Sequence, residues 1–363
     1  MKGIEADDAV GGLAFFDRTD ELSDAQHEQV VFCQDGASGL RAIIAIHDTT
    51  LGPGLGGTRF YPYPTEADAL TDALRLSQGM TFKAAAAGLP LGGAKAVIIG
   101  DPIQLKSTAL FEAYGRFIDS LNGRYWTAAD VGTTSEDLDV IGRTTSYTVG
   151  RSRNTGGSGD SGYSTALGVL SAMRAAAEKC WPEGLSGRRI GIEGIGKVGQ
   201  HLAKLLVEEG AEVLISDTDP RAIDRLADVR RSVALALCLF DEVLDIYAPC
   251  ALGGTLTQSS AARIQTTVIC GAANNQLAER GIADVLHQRS ILWIPDFVAN
   301  AGGLIQVGSE LTDLTSDDVR ELVLSVGGTT TSILTAAEEE DVTPLQVAQR
   351  LVRERLSVGA LHD

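Results

Sequence analysis

Two kinds of hydrophobic spacing divide the chain near its middle. Upstream, the β-branched runs Val30-Val31-Phe32-Cys33 and Ala42-Ile43-Ile44-Ala45-Ile46 predict strands on either side of the turn-prone DGASG. Thr65 with Asp68 opens a segment in which Leu70, Ala73, Leu74 and Ser77 recur at helical spacing, and Leu110, Phe111, Tyr114, Phe117, Ile118 and Leu121 make a stronger stripe over 107–121. Both predict helices facing a core. Between them a run of small residues, Ala84 to Ala94, is bounded by Lys83 and Lys95 and followed by a strand at Ala96-Val97-Ile98-Ile99.

The stretch Asn154 to Gly162 has the most linker-like composition in the chain, and beyond it the pattern changes. Ile190–Glu193, Val213–Ser216, Leu244–Tyr247, Thr267–Cys270 and Ile291–Ile294 read as short buried strands with helical segments between most of them. That alternation predicts a parallel, doubly wound sheet. Leu345, Val347, Ala348, Leu351 and Val352 predict a last helix. The expected architecture is α/β with two domains: an N-terminal α/β domain over residues 1–160 and a Rossmann-type domain over 161–335. A C-terminal helix over 336–363 follows.

Composition narrows the function classes. At 363 residues, 44% hydrophobic and 21% charged, the chain has the length for two domains and too much apolar content for extensive disorder. Its 48 acidic against 30 basic residues give a net charge of −18, the wrong sign for a binder of nucleic acid or of an anionic membrane. No apolar run is long enough to span a bilayer, and the N-terminus is acidic where a secretion signal would be basic, so a cytoplasmic protein is expected. The five cysteines and five histidines are scattered without ligand spacing, which indicates neither a disulfide framework nor a metal site.

The sharpest local motif is Gly194-Ile195-Gly196-Lys197-Val198-Gly199, a GxGxxG that follows a predicted strand and opens a predicted helix. In such a turn Gly194 permits the bend, Gly196 lets a pyrophosphate approach the backbone, and Gly199 allows close packing of helix on sheet. The next strand ends in Asp217, whose carboxylate would accept from ribose hydroxyls and repel a 2′-phosphate. NAD is therefore expected over NADP, with Arg221 the one residue that could blunt the preference. Elsewhere the chain uses lysine sparingly. Lys83 and Lys95 flank a surface without charged or amide side chains, where desolvation lowers an ammonium pKa toward the range useful for acid–base work. Asp130, among the small residues of Ala128-Ala129-Asp130-Val131-Gly132, suits a carboxylate facing a cleft, although such an aspartate taken singly is more often a loop residue.

These segments resemble the glutamate/leucine/phenylalanine/valine dehydrogenase superfamily, specifically its NAD-dependent branch acting on apolar L-amino acids. The resemblance runs from about Glu28 to about residue 350. It rests on LGPGLGGTRFYPY (51–63), GMTFKAAAAGLPLGGAKAVIIGDP (79–102), the segment around Asp130, GIGKVG (194–199), APCALGG (248–254), GAANNQL (271–277) and PDFVANAGG (295–303). It implies that the N-terminal domain binds substrate, with Lys83 on the α-carboxylate, Lys95 as the acid–base group and Asp130 relaying protons to the substrate nitrogen. It also implies that Asn275 contacts substrate and nicotinamide, that Thr165 lies near the cofactor amide, and that Lys197 and Val198 join the three loop glycines at the dinucleotide. Gly56 and Gly57 fall on the substrate side of the matching motifs.

Recognition of a glutamate side chain would require a cation or hydroxyl donors deep in the pocket. The matching positions here are Leu55, Ala128, Leu304 and Val307, which favour an apolar L-amino acid, branched-chain before aromatic. The implied reaction is reversible oxidative deamination to the 2-oxo acid and ammonia by a homo-oligomer whose C-terminal helix packs back toward the first domain. Two alternatives stand beside it: an aromatic amino-acid dehydrogenase of the same family, and a non-catalytic NAD-binding paralogue. The second has one support. Family members usually carry three glycines before the catalytic lysine, whereas this chain reads Gly92-Gly93-Ala94-Lys95.

Overall fold

The computed structural model describes residues 27–312 and 314–360. The acidic N-terminal stretch and His362 lie outside the described residues. The first half builds a five-stranded sheet from β1 (Gln29–Asp35), β2 (Leu40–Asp48), β3 (Gly54–Tyr61), β4 (Gly92–Ile99) and β5 (Tyr125–Ala129), in the order β1-β2-β4-β3-β5. β2 runs antiparallel to β1 and β4, while β3 is parallel to β4 and β5. Helix α1 (Glu66–Ala86), capped by the Thr65 side chain, covers one face with Ala69, Ala73 and Leu74 against Ile43, Ala45 and Val97. Helix α2 (Thr108–Asp119) covers the other with Leu110, Phe111, Tyr114 and Ile118 against Ile44, Phe60 and Ile98.

Strand alternation now sorts the residues of β4. Ala94, Ala96 and Ile98 belong to the α2 layer, so Lys95, between them, points to the α1 side. The small-residue run is thus not one loop. Ala84–Ala86 form the end of α1, where alanine is the best helix former, and Gly92–Ala94 open β4. This places Lys83 in the last turn of a helix and Lys95 within a strand. β3 and β5 were not expected from the hydrophobic pattern.

The second half forms a parallel six-stranded sheet from β6 (Arg189–Glu193), β7 (Glu212–Ser216), β8 (Val233–Leu235), β9 (Val243–Pro249), β10 (Gln265–Ile269) and β11 (Leu292–Trp293), in the order β11-β10-β9-β6-β7-β8. The order reverses between β6 and β9, the switch point outside which α/β folds bind ligands. Ile190, Ile192, Val213, Ile246 and Val268 share a core with Ala166, Leu170 and Met173 of α3 (Gly162–Cys180). Helix α4 (Gly199–Glu208) follows the glycine loop and α5 (Gly302–Gly308) follows the last strand.

The linker-like stretch is fastened. The Glu310 carboxylate accepts from the N–H groups of Gly150 and Ser158 at 2.9 and 2.8 Å, and Gln306 donates to the Ser158 carbonyl. At the C-terminus, residue 336 falls inside α6 (Val326–Glu340), which packs on α3. The helix that reaches the first domain is α7 (Pro344–Gly359): Val347, Ala348 and Val352 pack with Ala85 and Ala86, and Arg355 donates to the Ala86 carbonyl at 2.8 Å. Among the described residues no helix is long and apolar enough to cross a membrane.

Candidate active site

A cleft of about 740 Å³ opens between the two sheets. Its first wall carries Leu55, Gly56, Gly57, Lys83, Lys95, Ala128 and Asp130; its second carries Thr165, Lys197, Val198, Leu304 and Val307. The first wall can form because β3 lacks side chains where neighbours press closest. A Cβ on Gly56 would sit 1.6 Å from the Ala94 carbonyl oxygen.

Lys95 and Asp130 come together there. The Lys95 ammonium, 3% exposed, donates to Asp130 Oδ2. Asp130 follows β5 and is fixed through its backbone: its N–H donates to Thr133 Oγ1 at 2.9 Å, and that hydroxyl donates to the Thr58 carbonyl at 2.7 Å. Burial holds Lys95 well below the usual lysine pKa; the positive charges of Arg59 and Lys83 act the same way, and Asp72 opposes them. Such a group exchanges protons more readily near neutral pH than a solvated lysine does.

Lys83 stands apart from that couple and donates to Asn274 Oδ1 at 2.9 Å. The same oxygen accepts from Asn300 Nδ2 at 3.0 Å, and Asn300 Oδ1, buried, has no partner. Burial lowers the Lys83 pKa to about 8, against the pull of the Asp296 carboxylate. The asparagine facing the cleft is Asn274 and not Asn275. Asn275 has a left-handed backbone (φ 51°) that turns it away, and its carbonyl accepts from Gly254 N–H at 2.7 Å. Asn274, Asn300, Arg59 and Asp72 went unselected in the sequence. Asn274, Asn300 and Arg59 lay inside the quoted motifs, and only their geometry marks them out.

Gly194, Gly196, Gly199 and Asp217 do not line this cleft; they sit beyond it, at the switch point. Gly194 has φ +92°, a conformation that L side chains rarely adopt, and a Cβ on Gly199 would lie 1.9 Å from the Gly194 carbonyl oxygen. Around Gly196, by contrast, space is open. A tight turn with an open middle beside a helix start fits a pyrophosphate. Asp217 is exposed; one oxygen accepts from Ile195 N–H at 2.6 Å and the other from Asp219 N–H at 2.8 Å. Lys197 pairs with Asp160 at 3.2 Å across the domain junction, and Thr165 Oγ1 donates to the Ser161 carbonyl in the first turn of α3.

Ala94 does not meet the condition that would demand glycine. Its backbone is not in the left-handed region, its methyl points into the α2 layer away from Lys95, and it meets the bare face of Gly54. Gly92 and Gly93 are the positions that admit nothing, since a Cβ would lie 2.1 Å from the Asp48 carbonyl oxygen at the first and 2.0 Å from Thr81 N at the second.

A Rossmann-like sheet joined to a cleft with two desolvated lysines and a paired aspartate is the arrangement of an oxidoreductase. Residues 27–147 match the Glu/Leu/Phe/Val dehydrogenase dimerisation domain, and 156–223 with 224–355 match the Glutamate/Leucine/Phenylalanine/Valine dehydrogenase model. The chain belongs to this family and is an amino-acid dehydrogenase, acting on a CH–NH2 group. It is 51% identical over 336 residues to a valine dehydrogenase of Streptomyces virginiae, covering 91% of this chain and 94% of the relative. It is 45% identical to a leucine dehydrogenase of Bacillus cereus, covering 93% and 92%. Among solved structures, L-tryptophan dehydrogenase from Nostoc punctiforme superposes with a TM-score of 0.77 at 39% identity, covering 95% of this chain and 99% of that one. The hetero-hexameric glutamate dehydrogenase from Thermus thermophilus, at 23% identity and a TM-score of 0.77, shares the fold.

Proposed function

We propose that this protein catalyses the reversible NAD-dependent oxidative deamination of a branched-chain L-amino acid to its 2-oxo acid and ammonia. The observation that carries the reading is one cleft holding Lys83, the Lys95–Asp130 couple and the apolar side chains Leu55, Ala128, Leu304 and Val307. Lys83, oriented by Asn274, offers a desolvated cation for the α-carboxylate. Asp130 takes a proton from the substrate ammonium group, and Lys95 in its neutral form accepts one from the water that adds to the imine carbon. In the reverse direction the same two groups return those protons. When bound, NAD accepts the hydride from the substrate α-carbon. Gly194, Gly196, Gly199, Lys197, Val198 and Thr165 are the residues that would hold it.

Asp217 supports NAD over NADP because its exposed carboxylate repels a 2′-phosphate. Arg221 does not offset it: Arg221 and Arg225 both pair with Asp219, at 3.2 and 3.4 Å. Leu55, Ala128, Leu304 and Val307, which line the cleft, offer no charge or hydroxyl to a second carboxylate, which supports an apolar substrate. A homo-oligomer is inferred from the match to a dimerisation domain. The test is NADH formation at alkaline pH from L-valine, L-leucine, L-phenylalanine, L-tryptophan and L-glutamate, each repeated with NADP. The expected result is turnover of valine and leucine with NAD. Preference for an aromatic substrate, or for NADP, would overturn that part of the reading.

A further inference from the structure

The Lys95–Asp130 couple sits inside a longer chain of charges that the proposed mechanism leaves unused. Arg59 on β3 and Asp72 on α1 are mostly buried, 20% and 25% exposed, and both come from elements that also shape the cleft. Arg59 Nη1 donates to Asp72 Oδ2 at 2.9 Å, and the Tyr63 hydroxyl donates to the same oxygen. The other side of the guanidinium, Nε and Nη2, lies 3.5 Å from Asp130 Oδ1. Asp130 therefore has its two oxygens divided: Oδ2 on Lys95, Oδ1 toward Arg59 and the Val131 N–H.

We propose that Arg59 is a positioning residue for the reaction: clamped by Asp72, it orients the Asp130 carboxylate against Lys95 and supplies a fixed positive charge beside the couple. This rests on the assignment of Lys95 and Asp130 as the acid–base groups. The clamp is directional, because a guanidinium fork gripped on one edge by a carboxylate has little freedom left to reorient. It also has an electrostatic consequence of definite sign. A cation beside Lys95 favours loss of its proton, and an anion beside it favours retention. The charged groups facing Lys95 are Arg59 from β3, Asp72 and Lys83 from α1, and Asp130 after β5. Across the cleft Asn274 and Asn300 are uncharged, and Asp296 acts on Lys83. Arg59 and Asp72 thus pull Lys95 in opposite directions.

The test is the pH profile of kcat for the native enzyme and for Arg59→Gln, Arg59→Lys and Asp72→Asn. Arg59→Gln should move the acid limb to higher pH by about one unit and lower kcat near neutrality roughly tenfold, with recovery at high pH. Arg59→Lys keeps the charge and should keep the limb near its native position. Asp72→Asn should move the limb to lower pH. Shifts in the same direction for Arg59→Gln and Asp72→Asn, or an equal loss at every pH, would overturn the proposal. A second measurement does not need turnover: the pH dependence of Lys95 acetylation by acetic anhydride, read by peptide mass spectrometry. The same opposed shifts are expected there, and their absence would overturn the proposal. A native enzyme that forms no NADH but shows the opposed acetylation shifts would refute the dehydrogenase reading and leave the charge arrangement standing.

Discussion

The wall of the cleft contributed by the first domain carries ionised side chains out of water, whereas the second domain presents glycine backbone, amides and an exposed carboxylate. In the first, Lys95 and Asp130 are paired in the cleft and continued behind it by Arg59 and Asp72, while Lys83 beside them donates to Asn274. In the second, the absence of side chains shapes the glycine loop, and Asp217 stands at its rim. Desolvated charges answer to pH and to the loss of a partner, because leaving one buried and unpaired is costly. A glycine turn answers to volume. Binding of the dinucleotide and handling of protons should therefore be separable by mutation.

The largest effect expected on the glycine side is that of Gly199→Ala. The new methyl would press on the Gly194 carbonyl, forcing the loop to shift, at a cost of about 1–3 kcal/mol. NADH binding, followed by fluorescence, should weaken by about 5- to 150-fold, while the acid limb of residual turnover stays in place. A displaced limb would break the separation.

A smaller effect tests the charged side without mutation. Lys83 has a pKa of about 8 in the free cleft, and a carboxylate beside it favours its protonated form, so the pKa rises on binding. Below pH 8 the ammonium already carries its proton; above it, binding must take one up. Calorimetry of 2-oxo acid binding in buffers of different ionisation enthalpy should find fractional proton uptake near pH 9 and almost none near pH 6.5. No uptake at the higher pH would contradict the assignment of Lys83.

The smallest effect belongs to Ala94→Gly. Because the Ala94 methyl fills a gap beside Gly54 on the face away from Lys95, kcat should not change. Stability should fall by about 0.5–1 kcal/mol, the entropic cost of glycine in a strand, measured by denaturant titration. A several-fold rise in kcat would show that the methyl obstructs the site.

The contrast between the two regions also explains what the sequence revealed. Five of the six strands of the Rossmann half were legible because they are short apolar runs and its loop is a local pattern of glycines; β8, three residues long, was not. β3 was not legible, since the glycines that let it lie against Ala94 and Ala129 remove the β-branched signal that marks a strand. Lys83, Lys95 and Asp130 stand out through their unusual surroundings, yet Arg59, though inside a quoted motif, and Asp72 meet only through the packing of α1 on the sheet. Asn274 was missed by one position: two adjacent asparagines carry the same chemistry, and only the left-handed turn at Asn275 decides which faces the cleft. The stretch from Asn154 to Gly162 has a linker's composition, and the contacts that fasten it come from Glu310 and Gln306, about 150 residues away.

The central claim is that Lys95 moves protons and takes no part in holding the dinucleotide. Lys95→Ala tests it in one preparation, with turnover of the preferred amino acid and the dissociation constant for NADH measured side by side. The account predicts that kcat falls by a factor of about 10² to 10⁴ while NADH binds within roughly twofold of native. A variant that retains near-native kcat, or that loses NADH binding in proportion to turnover, would contradict it.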